Sequence, residues 1–271
     1  MRPARLAVAL AAHGSRDPRA AQATEALARA VRELRPEWDV RASYLDHSVP
    51  RPRQALASFA AAGHRRAVLV PLLLTSAYHG RVDVPGEIAA VRADGVRVDV
   101  ALADVLGPVD GVVPGQLLDG LVSRLRGASG FSGAGGGSGG PDFGGAAGGL
   151  DGVVLAAAGT RDAAARETVG AAAEALGARL GVPCRVAYAS AAPPLSGDAV
   201  RALRAQGCAR VGLASYFLAP GLLWDATVAS ARAAGVRVVG EPLTDSPPLA
   251  ELVVQRATAA ALEPASSLRA S

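Results

Sequence analysis

The sequence predicts an α/β protein: two tandem, doubly wound parallel-sheet domains related by internal duplication. Three observations carry that expectation. The stretch LAVALAAHGSRD, Leu6 to Asp17, recurs as GVVLAAAGTRD between Gly152 and Asp162. In both halves short, wholly apolar runs alternate with longer segments of helical period, the signature of βαβ units with right-handed crossovers and a sheet covered on both faces. Between Gly127 and Gly149 the chain reads GASGFSGAGGGSGGPDFGGAAGG, which has no apolar period and is expected to be a flexible linker. The domains are therefore expected over 1–126 and 150–271, with 127–149 between them.

In the first half, Leu6 to Ala12, Val40 to Leu45, Ala67 to Leu74 and Val96 to Ala101 are rich in Val, Leu and Ala and read as strands. Helices are expected near Ala20 to Leu34, Arg53 to Ala62, Pro85 to Ala93 and Val109 to Leu125, with Pro and Gly between them. The second half repeats the order. Its strands lie near Gly152 to Ala157, Arg185 to Ala189, Arg210 to Leu218 and Val236 to Val239. Its helices are expected near Ala163 to Leu180, Gly197 to Ala205, Leu222 to Ala234 and Leu249 to Ala261.

Composition narrows the chemistry. All 28 basic residues are arginine, which excludes a Schiff-base lysine, a P-loop lysine and a pyridoxal-phosphate enzyme. The net charge of +4 is weak evidence for nucleic acid, and the few aromatics are not interleaved with arginines as a stacking platform requires. Cys184 and Cys208 have no C-x-x-C spacing, so neither a disulfide framework nor an iron–sulfur site is indicated and a reducing cytoplasm fits. The first twelve residues imitate a short signal peptide. The same apolar run recurs inside the chain at Val153 to Ala158, which favours a strand, and no run reaches the ~18 apolar residues of a membrane span.

Ligands of open parallel sheets bind at the carboxyl ends of the strands, where loops and helix N-termini converge. His13 ends the first strand, His47 follows the second within YLDHS, and His79 lies just beyond the third. His64 falls at the opposite edge and reads as a solvated loop residue. Neutral imidazoles beside the carboxylate of Asp46 suit a borderline divalent metal. The second half is an internal control, because a folding requirement would have kept these side chains in both copies. His13 instead faces Ala158, Asp46 and His47 face Ser190 and Ala191, and His79 faces Leu223. Ser15 and Arg16 do have counterparts, Thr160 and Arg161, and can serve the strand-to-helix turn as well as a ligand. Asp83 reads as a helix N-cap.

The segments AHGSRDPRA, YLDHS and PLLLTSAYHGRVDVP resemble the CbiX/SirB sirohydrochlorin chelatases, class II tetrapyrrole chelatases, over both halves apart from the linker. The resemblance implies a chelatase-like, flavodoxin/Rossmann-like fold and ATP-independent insertion of Co2+ or Fe2+ into sirohydrochlorin, for sirohaem or cobalamin. The divalent metal is then a substrate, with no organic cofactor. His13 and His79 match the two family histidines that bind metal and carry catalysis. Asp46 stands where the family usually has Glu, one methylene shorter. The macrocycle is expected in the cleft between the domains, its carboxylates within reach of Ser15, Arg16, Arg51, Arg53 and Arg81. One imidazole would accept a pyrrole proton while the other holds the metal, in either assignment. The expected partner is the tetrapyrrole alone, with neither nucleic acid nor membrane, on a cytoplasmic monomer or homodimer. The rival is a protein that binds and delivers metal or tetrapyrrole without inserting it. Phosphoryl transfer of the histidine-phosphatase kind is disfavoured, since Ala12 and not Arg precedes His13.

Overall fold

The computed structural model describes residues 6–75, 84–128 and 149–262. Its described elements run β1 (Ala7–Ala12), α1 (Pro18–Leu34), β2 (Asp39–Tyr44), α2 (Pro52–Ala61), β3 (Arg66–Leu72), α3 (Val84–Ala93), β4 (Asp99–Leu102) and α4 (Gly115–Arg126). They continue as β5 (Gly152–Ala157), α5 (Ala163–Leu180), β6 (Cys184–Tyr188), α6 (Ser196–Ala205), β7 (Val211–Tyr216), α7 (Leu222–Ala233), β8 (Val238–Val239) and α8 (Pro247–Leu262). Two four-stranded parallel sheets form, ordered β2-β1-β3-β4 and β6-β5-β7-β8, so the duplicated doubly wound α/β architecture is observed.

Each sheet is covered on both sides, which is why its inner strands, β1 and β3 in one and β5 and β7 in the other, are apolar at nearly every position. On one face of the first sheet Ala7, Ala9 and Ala11 meet Leu56, Phe59 and Ile88 from α2 and α3. On the equivalent face of the second, Val154 and Ala156 meet Val200 and Leu203 of α6 and Val228 and Ala231 of α7. Small alanines along the central strands let those helices approach closely.

The division of the chain differs from the expected one. One compact unit holds residues up to Val109 together with Thr244 onward, and the other holds Asp110–Leu243. The amphipathic face of α4, with Leu117, Leu121 and Leu125 buried, packs on β7 and α5. α8 buries Leu249, Leu252, Val253 and Ala257 and packs on α1 and β3. Each sheet thus takes one covering helix from the far end of the other half. The elements on either side of the expected linker at 127–149, α4 and β5, belong to the same unit, so the expected boundary does not coincide with the observed one. The sheet that an apolar helix face finds is set by shape and chain path, not by its period. A smaller difference is that α4 starts at Gly115 and not near Val109. Pro114 is its N-cap, and Asp110 and Gly111 take left-handed conformations, φ 50° and 77°, that a helix cannot continue through.

Candidate functional site

The parallel ladder between β1 and β2 pairs Ala12 with Tyr44 and carries on past both strand ends. Leu45 N–H donates to the Ala12 carbonyl and Asp46 N–H to the His13 carbonyl, both at 2.8 Å. His13 and Asp46 are therefore neighbours by backbone hydrogen bonding, on the carboxyl edge where the sequence places them, and both are exposed.

The next residue explains why the approach is possible. Gly14 sits at φ +90°, and a Cβ there would lie 1.8 Å from the Asp46 carbonyl oxygen. Beyond it the chain turns into α1. Ser15 Oγ accepts the Asp17 N–H at 3.0 Å, and the Asp17 carboxylate accepts the Arg19 N–H as the N-cap of α1. Ser15 thus has a turn-forming role, while the Arg16 side chain is exposed.

Asp46 is held by its own loop. One carboxylate oxygen accepts the His47 N–H at 2.8 Å, His47 Nε2 lies 3.4 Å from the other, and Arg51 Nη2 lies 3.6 Å from the first. The His47 N–H donated to the carboxylate, helped by electrostatic attraction from the side chains around it, Arg51 among them, holds the carboxyl below its ordinary value against desolvation, so Asp46 is a carboxylate at neutral pH. Arg51 is also the N-cap of α2, its N–H donating to Gln54 Oε1 at 2.8 Å. That ion pair went unread in the sequence; the signal was an arginine at the first cap after YLDHS. Arg53 is at the surface, its N–H donating to Glu87.

His79, Arg81 and Asp83 lie outside the described residues, which follow the chain beyond β3 as far as Thr75. Among the described residues no three His, Cys, Asp or Glu side chains gather closely enough to hold a metal ion. Asp225, the counterpart of Asp83, lies in the first turn of α7, whose N-cap is Gly221.

His64 is a correction. Its side chain is only 14% exposed, Nε2 lies 3.2 Å from Asp39 Oδ2, and the ring stands edge-on to Phe59 at 5.7 Å. Arg41 completes the group with a 2.7 Å contact to Asp39 and its guanidinium over the same Phe59 ring. A loop position adjoining the start of a buried strand can turn its side chain inward, and this one does.

The second unit repeats the backbone of this edge without its chemistry. Gly159 at φ +97° would place a Cβ 1.9 Å from the Ser190 carbonyl oxygen, and Ser190 N–H donates to the Ala158 carbonyl at 3.1 Å. Thr160 Oγ1 accepts the Asp162 N–H as Ser15 does for Asp17. Ala191 takes the same left-handed conformation as His47, φ 65° against 57°. The turn is scaffold, and the imidazole and carboxylate are additions to it.

Comparison with known proteins agrees with this duplication, because the CbiX family profile matches twice, over residues 7–115 and 152–260. The chain belongs to the CbiX family. The first CbiX match ends where α4 starts and the second runs into α8. Among curated relatives, the sirohydrochlorin cobaltochelatase of Methanococcoides burtonii is 25% identical over 103 residues, covering 35% of this chain and 79% of its own. SirB from Bacillus subtilis, solved with Fe3+, superposes with a TM-score of 0.71 at 18% identity, over 95% of this chain and 96% of that one. CbiX of denitrifying bacteria, described as the terminal enzyme for biosynthesis of siroheme, gives a TM-score of 0.60 at 20% identity, over 94% and 99%. These two likenesses establish a shared fold. As a CbiX-family chain this protein keeps the two-sheet architecture, and no helix among its described residues is long and apolar enough to cross a membrane.

Proposed function

We propose that this chain is a sirohydrochlorin chelatase that inserts Co2+ or Fe2+ into the metal-free macrocycle without ATP. The observation that carries the reading is the His13–Asp46 strand-end pair, built on a turn that the second unit reproduces with Ala158 and Ser190 in place of those side chains. Names of relatives support the substrate class, one being a sirohydrochlorin cobaltochelatase and another, SirB, having been solved with iron as Fe3+.

Insertion is ligand exchange without redox change: the metal sheds water, two pyrrole N–H protons leave, and charge balances when the divalent ion replaces them. An imidazole at the strand edge can take a proton or hold the incoming ion. His13 and His79 divide those roles, and Asp46, kept ionised by the His47 N–H and Arg51, stands beside His13 as a further proton acceptor. Arg16, Arg51 and Arg81 are the guanidiniums assigned to the carboxylates of the macrocycle. Ser15 can join them, because its Oγ accepts within the turn and keeps its O–H to donate.

The test is anaerobic absorbance of sirohydrochlorin with Co2+ or Fe2+, with and without the protein, corrected for spontaneous insertion. Acceleration with either metal supports the reading and assigns the preferred ion. Tight binding of metal or macrocycle without acceleration overturns it in favour of a carrier.

A further inference from the structure

The two oxygens of Asp46 have different surroundings. Oδ1 accepts the His47 N–H at 2.8 Å and lies 3.6 Å from Arg51 Nη2, whereas Oδ2 faces the His47 ring, with Nε2 at 3.4 Å. That gap exceeds the ~2.7–3.2 Å of an N–H···O bond. It matches the spacing of two ligands on one ion, since bonds of ~2.1 Å at a tetrahedral angle set a nitrogen and an oxygen ~3.4 Å apart. Both side chains reach solvent, Asp46 being 52% exposed and His47 36%, so a hydrated ion has access to the pair.

The imidazole is not needed for the turn that carries it. His47 is left-handed at φ 57°, and Ala191 takes φ 65° at the same place in the second unit. The turns also share a hydrogen bond, Ser48 N–H to the Asp46 carbonyl in one and Ala192 N–H to the Ser190 carbonyl in the other. The bond that orients the Asp46 carboxylate comes from the His47 backbone, not from its ring. Insertion as read above gives that ring no part.

Its position supplies one. Asp46 N–H donates to the His13 carbonyl, and the His13 side chain is near enough to act electrostatically on the Asp46 carboxyl. An ion held between His47 and Asp46 is thus one ligand exchange away from His13, with Asp46 common to both positions. Among the described residues no three ligating side chains gather, and two ligands beside the Arg51 guanidinium hold a cation loosely. Loose binding suits a site that must give its ion up, and an imidazole among the ligands selects a borderline transition metal over Mg2+.

We propose that His47 Nε2 and Asp46 Oδ2 form a capture site, which takes a hydrated divalent transition-metal ion from solvent and passes it to His13. Capture exchanges two waters of the ion for the imidazole nitrogen and the carboxylate oxygen. Transfer breaks the bond to His47 as the bond to His13 forms, with no change of oxidation state. The proposal rests on the metal-insertion reading above and adds His47 to it.

The experiment follows histidine ring signals by NMR in the full chain, with Co2+ as the probe. The chain has four histidines, so in H13A/H79A the remaining signals belong to His47 and His64. His64, enclosed by Asp39 and Phe59, is the internal reference and reports the fold. Co2+ should shift and broaden the His47 signals at concentrations that leave His64 unmoved, and Mg2+ should not. R51A should lower the Co2+ concentration required. In the insertion assay H47A should raise the Co2+ concentration for half-maximal rate about tenfold, with a smaller effect on the rate at saturating metal. H47A is expected to keep the wild-type melting temperature, because Ala191 already occupies this turn in the second unit. His47 signals that answer Co2+ no more than His64 does overturn the capture site, as does an unchanged half-maximal concentration in H47A when the wild type inserts metal. Co2+ bound at His47 by a wild type that does not accelerate insertion leaves the metal-binding pair standing and removes the chelatase reading instead.

Discussion

The backbone oxygen of Asp46 occupies the space into which a side chain on Gly14 would project, 1.8 Å from the position of its Cβ. One contact thus ties the turn after β1 to the strand-end carboxylate. Gly14→Ala must relieve that overlap as well as a left-handed φ, and the expected cost is ~2–4 kcal/mol. Gly159→Ala meets the same overlap with Ser190 and should cost a similar amount. Thermal melts check both. Only Gly14→Ala should also lower the insertion rate of the protein that remains folded, because only that turn positions His13 and Asp46.

His13→Ala and His79→Ala should each reduce metal insertion by about 100-fold or more, the scale of a lost proton-transfer group. For His13, exposed at the strand end, the melting temperature should stay at the wild-type value. Wild-type rates in either variant would refute the site.

His64→Ala is expected to lower stability by ~1–2 kcal/mol through loss of a half-buried hydrogen bond and its ring contact, with insertion per folded molecule unchanged. The pH dependence has a definite sign. Burial raises the Asp39 carboxyl, but the hydrogen bonds and charges of Arg41 and His64 outweigh it and hold the group below 3.8. The stabilisation is therefore present above 3.8 and is lost as pH falls through the depressed value. Acid unfolding curves should show a smaller loss over that window in His64→Ala than in wild type.

For Asp46 the titration itself is the readout. Its carboxyl carbon should titrate below 3.8, and Arg51→Ala should move the midpoint upward by removing one of the charges that favour the ionised form. An unmoved midpoint would separate Arg51 from the carboxylate.

The exchanged helices predict the behaviour of a cut chain. A protease site introduced between Gly135 and Gly139 divides the protein within the Gly-rich segment, leaving α4 on one fragment and α8 on the other. Each helix packs in the unit built mainly from the other fragment. The fragments should co-elute on size exclusion and separate only in denaturant. Separation under native conditions would contradict the exchange.

Much of the architecture was legible because it follows from local rules. Apolar strands alternating with helical periods imply a parallel sheet, and every expected strand and helix corresponds to one observed, several of them shifted by a few residues at their ends. The repeat of HGSRD as AGTRD locates the turn, and the rule that ligands bind at the carboxyl ends of parallel strands places His13 and Asp46 on one edge. His64 was misplaced because a single sequence position carries no record of which way its side chain turns. The Asp39 and Phe59 partners that enclose it come from a strand and a helix elsewhere in the unit.

By itself the sequence determined the duplication, the fold class and the residue types available for chemistry at one edge, because periodicity, glycine conformation and side-chain identity are written locally. Tertiary structure alone decided which sheet α4 and α8 cover, that α4 and β5 on either side of the Gly-rich segment belong to one unit, and that His47 and Arg51 hold the Asp46 carboxyl below its ordinary value. Those outcomes depend on packing and Coulombic contacts between residues distant along the chain or turned toward one another by the fold, and burial and distance are properties of the folded chain.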